Sequence, residues 1–228
     1  MLRVAVFDAY GTLFDVYSVA ALAESLFPGQ GGPLSVLWRD KQIEYSRLIS
    51  LSDPSPEGSR HYQDFWELTG LALDYACTRL QLPLTEAHRQ RLLDAYAELK
   101  AFPENLSVLQ ALRAQGVPCA ILSNGHPDML ASAVRSAGMA ECLDKVLSVD
   151  AVRQFKTSPS SYDLVQHHYD VARAEVLFVS SNGWDALGAT WYGFTTFWVN
   201  RQGLPFETLG PRPTHSGPDL RHVLPVFT

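Results

Sequence analysis

The chain has 228 residues, 46% hydrophobic and 18% charged, with a formal net charge of -6. That length holds one large domain, or a core with a smaller insertion, and the composition is ordinary for a soluble globular protein. The acidic balance argues against nucleic acid or an anionic membrane as the main partner, yet leaves room for an anionic small molecule held by a few local cations.

No apolar run is long enough to span a bilayer, and Asp8 comes too early for a signal peptide. Three scattered cysteines, Cys77, Cys119 and Cys142, fit neither a disulfide framework nor a zinc site. The expectation is a reduced, cytoplasmic protein with Cys119 as a buried, inert thiol. His167-His168 is expected on a helix surface.

In chain order, Val4 to Phe7 is the first buried, apolar, strand-like run. Residues 15 to 99 then show helical periodicity and no convincing strand, as in Leu34 to Leu48. The run Asp53-Pro-Ser-Pro-Glu-Gly58 breaks this block between two helices. Further buried strands are expected at Pro118–Leu122, Lys145–Val149, Val176–Val179 and Thr195–Val199, with helices near Pro127–Ala137, Ser160–Tyr169 and Trp184–Tyr192. Strands separated by single helices give an α/β fold with a parallel, doubly wound sheet. The helical block reads as an inserted second domain, and the Pro- and Gly-rich stretch Gly203–Pro218 as a surface loop.

Ligands of such sheets bind beyond the carboxyl ends of the strands. The loops there are Asp8-Ala-Tyr-Gly-Thr-Leu13, Ser123-Asn-Gly125, the segment holding Lys156, and Ser180-Ser-Asn-Gly-Trp-Asp185. Together they supply two acids, a lysine and several hydroxyl and amide groups, a set suited to handling an anion.

These four segments, in this order and each after a strand, resemble the four motifs of the haloacid dehalogenase superfamily. The resemblance runs over the whole chain and implies a Rossmann-like core, residues 1–14 and 100–228, with a helical cap, residues 15–99. Most of that superfamily are magnesium-dependent phosphatases, with a second aspartate two residues after the nucleophile and a Gly-Asp pair in the fourth motif. Here those places hold Tyr10 and Ser180-Ser181, which removes the usual general acid and a metal-binding acid, a hard-oxygen ligand that magnesium prefers.

Asp8-x-Tyr10-Gly11-Thr12, Leu37-Trp38-Arg39-x-Lys41-Gln42-x-Glu44-Tyr45 and Ser180-Ser181-Asn182-x-Trp184-Asp185 are similar instead to the L-2-haloacid dehalogenase branch. That likeness implies hydrolytic dehalogenation of (S)-2-haloalkanoic acids to (R)-2-hydroxyalkanoic acids, with neither metal nor cofactor. It departs at Thr157, where proline usually follows the lysine, and at Asp40, where a neutral residue is common. If the Asp40 side chain turned inward beside Arg39, it would weaken anion binding.

A carboxylate needs no deprotonation to attack at neutral pH, so Asp8 is the expected nucleophile. Lys156 would hold it, and Thr12 would donate to it or orient its loop. Ser123 and the backbone N–H groups around Ala9 and Tyr10 would hold the substrate carboxylate. Arg39 and Asn124 would receive the halide. Asp185 would activate the water that opens the ester, in a network with Ser180, Asn182 and Tyr162. Tyr10, Phe65 and Trp184 would wall the apolar part of the substrate.

The expected partner is thus a small 2-haloacid. Apolar faces of the cap could support a homodimer, which that branch often forms. Two other readings stand beside this one: a magnesium-dependent phosphatase of small metabolites, and a catalytically silent member binding a carboxylate or a protein.

Overall fold

The computed structural model describes residues 1 to 227; residue 228, within the expected core range, lies outside the described residues. Six parallel strands form one sheet: β1 (Val4–Phe7), β2 (Cys119–Ser123), β3 (Lys145–Ser148), β4 (Val176–Ser180), β5 (Thr195–Val199) and β6 (His215–Gly217). Their order is β3-β2-β1-β4-β5-β6. Chain direction across the sheet reverses at β1, which pairs with β2 on one side and β4 on the other. The residues after β1 therefore stand at the topological switch point, where an open α/β sheet leaves its crevice.

β1, β2 and β4 are buried along their whole length, as expected for strands covered on both faces by helices. Two expectations need correction. The strand expected at Lys145–Val149 is an edge strand whose first two residues, Lys145 and Val146, are exposed; with only one neighbour, its rim meets water. The stretch Gly203–Pro218 is not loop throughout, because His215–Gly217 pairs with β5 as the other edge. Three residues without apolar alternation carry no strand signal of their own, and the pairing is supplied by the neighbouring strand.

Five helices lie between β1 and β2 in sequence, and the first four, α1 (Ala20–Leu26), α2 (Gly31–Ser52), α3 (Phe65–Arg79) and α4 (Glu86–Ala97), make up the helical block. α3 opens with a capping box, in which Asp64 accepts from the Trp66 and Glu67 N–H groups and Glu67 accepts from the Asp64 N–H. Packing of α2 against α3 buries Trp38, whose indole N–H donates to Thr69 O at 2.8 Å. The buried side of α2 is unusual in carrying Ser35, Arg39, Gln42, Ser46 and Ser50. Their spacing of three or four residues puts all five on one face.

The remaining helices, α5 (Asn105–Ala114), α6 (Pro127–Ser136), α7 (Pro159–His168) and α8 (Gly183–Tyr192), alternate with the strands. Both His167 and His168 are exposed at the end of α7, as expected. Cys119 is fully buried, and burial followed by the nearby Asp144 pushes its thiol up to about 12. An unreactive thiol follows.

Candidate active site

The chain leaves β1 through a tight turn. The N–H groups of Thr12, Leu13 and Phe14 all donate to Ala9 O, and Gly11 takes a φ of +92° that a side chain would rarely adopt. The Asp8 N–H donates to Val179 O and the Gly11 N–H to Phe14 O, while those of Ala9 and Tyr10 take part in none of the turn's backbone bonds. Asp8 itself is 5% exposed.

Segments that follow two other strands, β3 and β4, converge on its carboxylate. Lys156 Nζ lies 3.0 Å from Asp8 Oδ1 and 2.9 Å from Asp185 Oδ2. Asp8 Oδ2 accepts from Thr12 Oγ1 at 3.0 Å, Asn182 Nδ2 at 2.8 Å and, more loosely, Ser180 Oγ at 3.5 Å. The Tyr162 hydroxyl donates to Asp185 Oδ1 at 2.8 Å. Gly188 makes room for this, since a Cβ there would lie 2.8 Å from the Tyr162 oxygen.

Burial raises the Asp185 carboxyl to about 6, even though Lys156 opposes this; the Asp8 charge adds to the rise. Burial alone would lower the Lys156 ammonium, but Asp185 and Asp8 outweigh it and hold the group above its ordinary value. One buried cation thus serves two carboxylates.

The second half of the site comes from the helical block. Arg39, 8% exposed, reaches from α2 and donates from Nη2 to Tyr10 O at 3.2 Å. Its Nη1 is buried with no hydrogen-bond partner in the strict geometric sense, and its charge acts on the neighbouring Tyr96 hydroxyl. Asp40, next in sequence, is exposed and forms no ion pair with Arg39. Its charge therefore does not turn inward.

Among the residues expected to hold the substrate, Ser123 is fully buried and accepts from the Gly125 N–H at 3.1 Å. Asn124 Oδ1 accepts from the Lys156 N–H at 2.9 Å. The expected aromatic wall is divided. Phe65 is buried against Tyr10, ring centres 5.9 Å apart. Trp184 instead faces an outer cleft of about 860 Å³, where the Arg47 guanidinium lies 5.1 Å from its ring centre. That cleft is also lined by Gly11, Arg39, Asp40 and Asn182, so the carboxylate centre lies behind it.

Tyr96 from α4 was not legible in the sequence. It stacks on Tyr10 at 6.0 Å and donates to Gln42 Oε1 at 3.2 Å. Lone aromatic residues on amphipathic helices read as core, and only the packing of α4 brings this one to the site. Arg201 was legible in principle, because it follows β5 as the other site residues follow their strands.

The fold and site define a class, a Rossmann-like α/β protein with an acid–lysine–acid centre at its switch point. A family model described as haloacid dehalogenase-like hydrolase matches residues 2–193. An (S)-2-haloacid dehalogenase from Pseudomonas sp. (strain YL) is 42% identical over 97% of this chain and 92% of its own. A crystal structure of an L-2-haloacid dehalogenase superposes with a TM-score of 0.95 at 58% identity, covering 99% of this chain and 98% of that one. An L-2-haloacid dehalogenase from Xanthobacter autotrophicus, with chloropropionic acid covalently bound, is 38% identical with a TM-score of 0.88, covering 100% of this chain and 98% of its own. The chain belongs to the haloacid dehalogenase-like hydrolases.

Proposed function

We propose that this protein is an (S)-2-haloacid dehalogenase in which residues 15–99 form the cap and the rest the core. The observation that carries the reading is the buried Arg39, whose Nη2 reaches the Tyr10 carbonyl two residues after the Asp8 carboxylate that Lys156 holds. The nucleophile has its cation in Lys156, and Arg39 brings a second, buried cation from the helical block.

An Asp8 oxygen attacks C2 of the substrate from the side opposite the halogen. The carbon–halogen electron pair departs as halide, toward Arg39 and Asn124, and an ester joins Asp8 to C2. Ser123 and the Ala9 and Tyr10 N–H groups hold the substrate carboxylate. Water then attacks the Asp8 side-chain carbon while Asp185 takes its proton. The ester C–O bond breaks, the hydroxy acid leaves with a proton, and Asp8 is restored. Thr12, Ser180 and Asn182 hold the Asp8 oxygens throughout, and Tyr162 orients Asp185. Only one bond to C2 is made and one broken, so the carbon inverts once.

The donor set does not fit the magnesium common in the wider superfamily. Hard cations need several free oxygen ligands, whereas Asp8 and Asp185 already share an ammonium within 3.0 Å and Ser181 stands where an acid would be needed. No step is routed through a metal.

The proposal extends to a cytoplasmic enzyme of small molecules. Three free cysteines suit a reducing compartment, and no helix among the described residues is long and apolar enough to cross a membrane. Exposed Leu48, Leu51, Leu71 and Tyr75 on α2 and α3 would support a homodimer, which sedimentation would test.

The decisive experiment is halide release from each enantiomer of 2-chloropropionate, with and without a chelator. The L form gives D-lactate at an unchanged rate in chelator, and the D form reacts poorly. Retained or racemic product, or activity restored by magnesium, would overturn the assignment.

A further inference from the structure

Thr12 is gripped at both ends. Its hydroxyl donates to Asp8 and accepts from the Ser181 N–H at 2.8 Å. Its carbonyl accepts from Asn105 Nδ2 and from Arg201 Nη2, both at 3.2 Å. Arg201 follows β5 and forms an ion pair through Nη1 with Glu104. Its Nη2 also reaches Asn105 Oδ1 at 3.3 Å, and the guanidinium lies 3.8 Å from the Phe102 ring centre. Asn105 is fully buried and donates to Leu13 O as well, at 2.9 Å.

This cluster grips the place where the chain passes from the core into the helical block and back. The Asp15 N–H donates to Lys100 O, the Phe102 N–H donates to Leu13 O, and Phe14 bridges Ala101. One guanidinium fork therefore ties three segments together: the turn carrying the nucleophile, the return crossing at residues 102–105, and the loop after β5. A lysine, as a single point charge, could not bind in all these directions.

We propose that Arg201 is a positioning residue for the nucleophile. By holding the Thr12 carbonyl, with Glu104 and Asn105 fixing its own orientation, it fixes the direction of the Thr12 hydroxyl and hence of the Asp8 oxygen that attacks. It acts through Thr12 and touches neither substrate nor reacting atoms. This inference rests on the dehalogenase reading.

A double-mutant cycle on single-turnover ester formation from L-2-chloropropionate tests it. Arg201→Ala should slow ester formation roughly tenfold with KM within about twofold, less than the 10²-fold loss of a fully misplaced group, because Asn105 still holds the carbonyl. In a Thr12→Val background, where no hydroxyl remains to direct, the same change should cost less than about twofold. Arg201→Lys, which keeps charge and bulk, serves if the alanine variant does not fold; it should slow ester formation severalfold and show the same coupling. Equal losses in both backgrounds would mean that Arg201 is merely structural and overturn the proposal. A rise in KM with the chemical step unchanged would make it a substrate-binding residue and also overturn it. If the unsubstituted protein turns over but the cycle shows no coupling, only the brace fails. No chloride release by the unsubstituted protein overturns both readings.

Discussion

The two halves of the site are built on opposite terms. On the sheet side, Asp8, Lys156, Asp185 and Tyr162 form a closed network in which each charged group has a partner within about 3 Å. On the helical side, Arg39 spends one nitrogen on a backbone carbonyl and leaves another buried and unpaired. A satisfied network holds its geometry before substrate arrives, which favours the ground state and the transition state alike. An unsatisfied cation gains most when charge appears, and only such a gain lowers a barrier. On the dehalogenase proposal, the sheet side would position the nucleophile and the helical side would receive the leaving anion.

The largest effect should come from breaking the sheet side at its centre. Asp8→Asn should lower turnover by at least about 10⁴-fold, in line with losses seen when a nucleophile is removed. In the unsubstituted protein, a single turnover in heavy-oxygen water should put the label in the Asp8 carboxylate. Label in the hydroxy acid instead would mean that water attacks the substrate directly.

Asp185→Asn separates the two steps on the same side. Ester formation should survive and hydrolysis should nearly stop, so mass spectrometry should find the esterified protein accumulating. The pH dependence follows from the raised carboxyl of Asp185. With its proton leaving at about 6, Asp185 is protonated at lower pH and cannot act as a base, so hydrolysis falls toward acid. Esterification removes the Asp8 charge that helps hold this proton, so the midpoint for the hydrolytic step should lie below about 6. Hydrolysis that stayed fast well below pH 4 would exclude Asp185 as the base.

The helical side should respond more mildly and with a different signature. Arg39→Ala should slow ester formation by about 10²-fold, the usual cost of one donor to a developing charge, and Arg39→Lys by less. The loss should be larger for chloride than for iodide, the better leaving group. Near-normal rates with every halide would place the leaving-group site elsewhere.

The smallest effect belongs to Asp40. It is exposed at the cleft and unpaired with Arg39, so Asp40→Asn should change kcat/KM by no more than about twofold, and salt should erase the change. A tenfold effect at high salt would show that the carboxylate turns inward during turnover.

The sequence by itself determined the sheet side of this protein. Apolar runs of three or four residues mark β1, β2, β4 and β5, and the parallel fold places whatever follows them at one end of the sheet. Asp8, Ser123 and the Ser180–Asp185 loop were therefore readable as neighbours although far apart in the chain. The helical side resisted such reading because helical periodicity fixes which residues share a face, but not what that face meets. Arg39 was placed by likeness to a motif, and Phe65 was expected in one wall with Trp184 from which the packing separates it. The Tyr96 hydroxyl donating to the Gln42 amide oxygen and the contacts of Arg201 depend on how α4, α2 and the loop after β5 settle on the rest. Even β6 exists only because β5 offers it a row of unpaired backbone groups. Local patterns set by backbone geometry survive in one dimension; contacts chosen by side-chain packing between distant segments are decided only when the chain has folded.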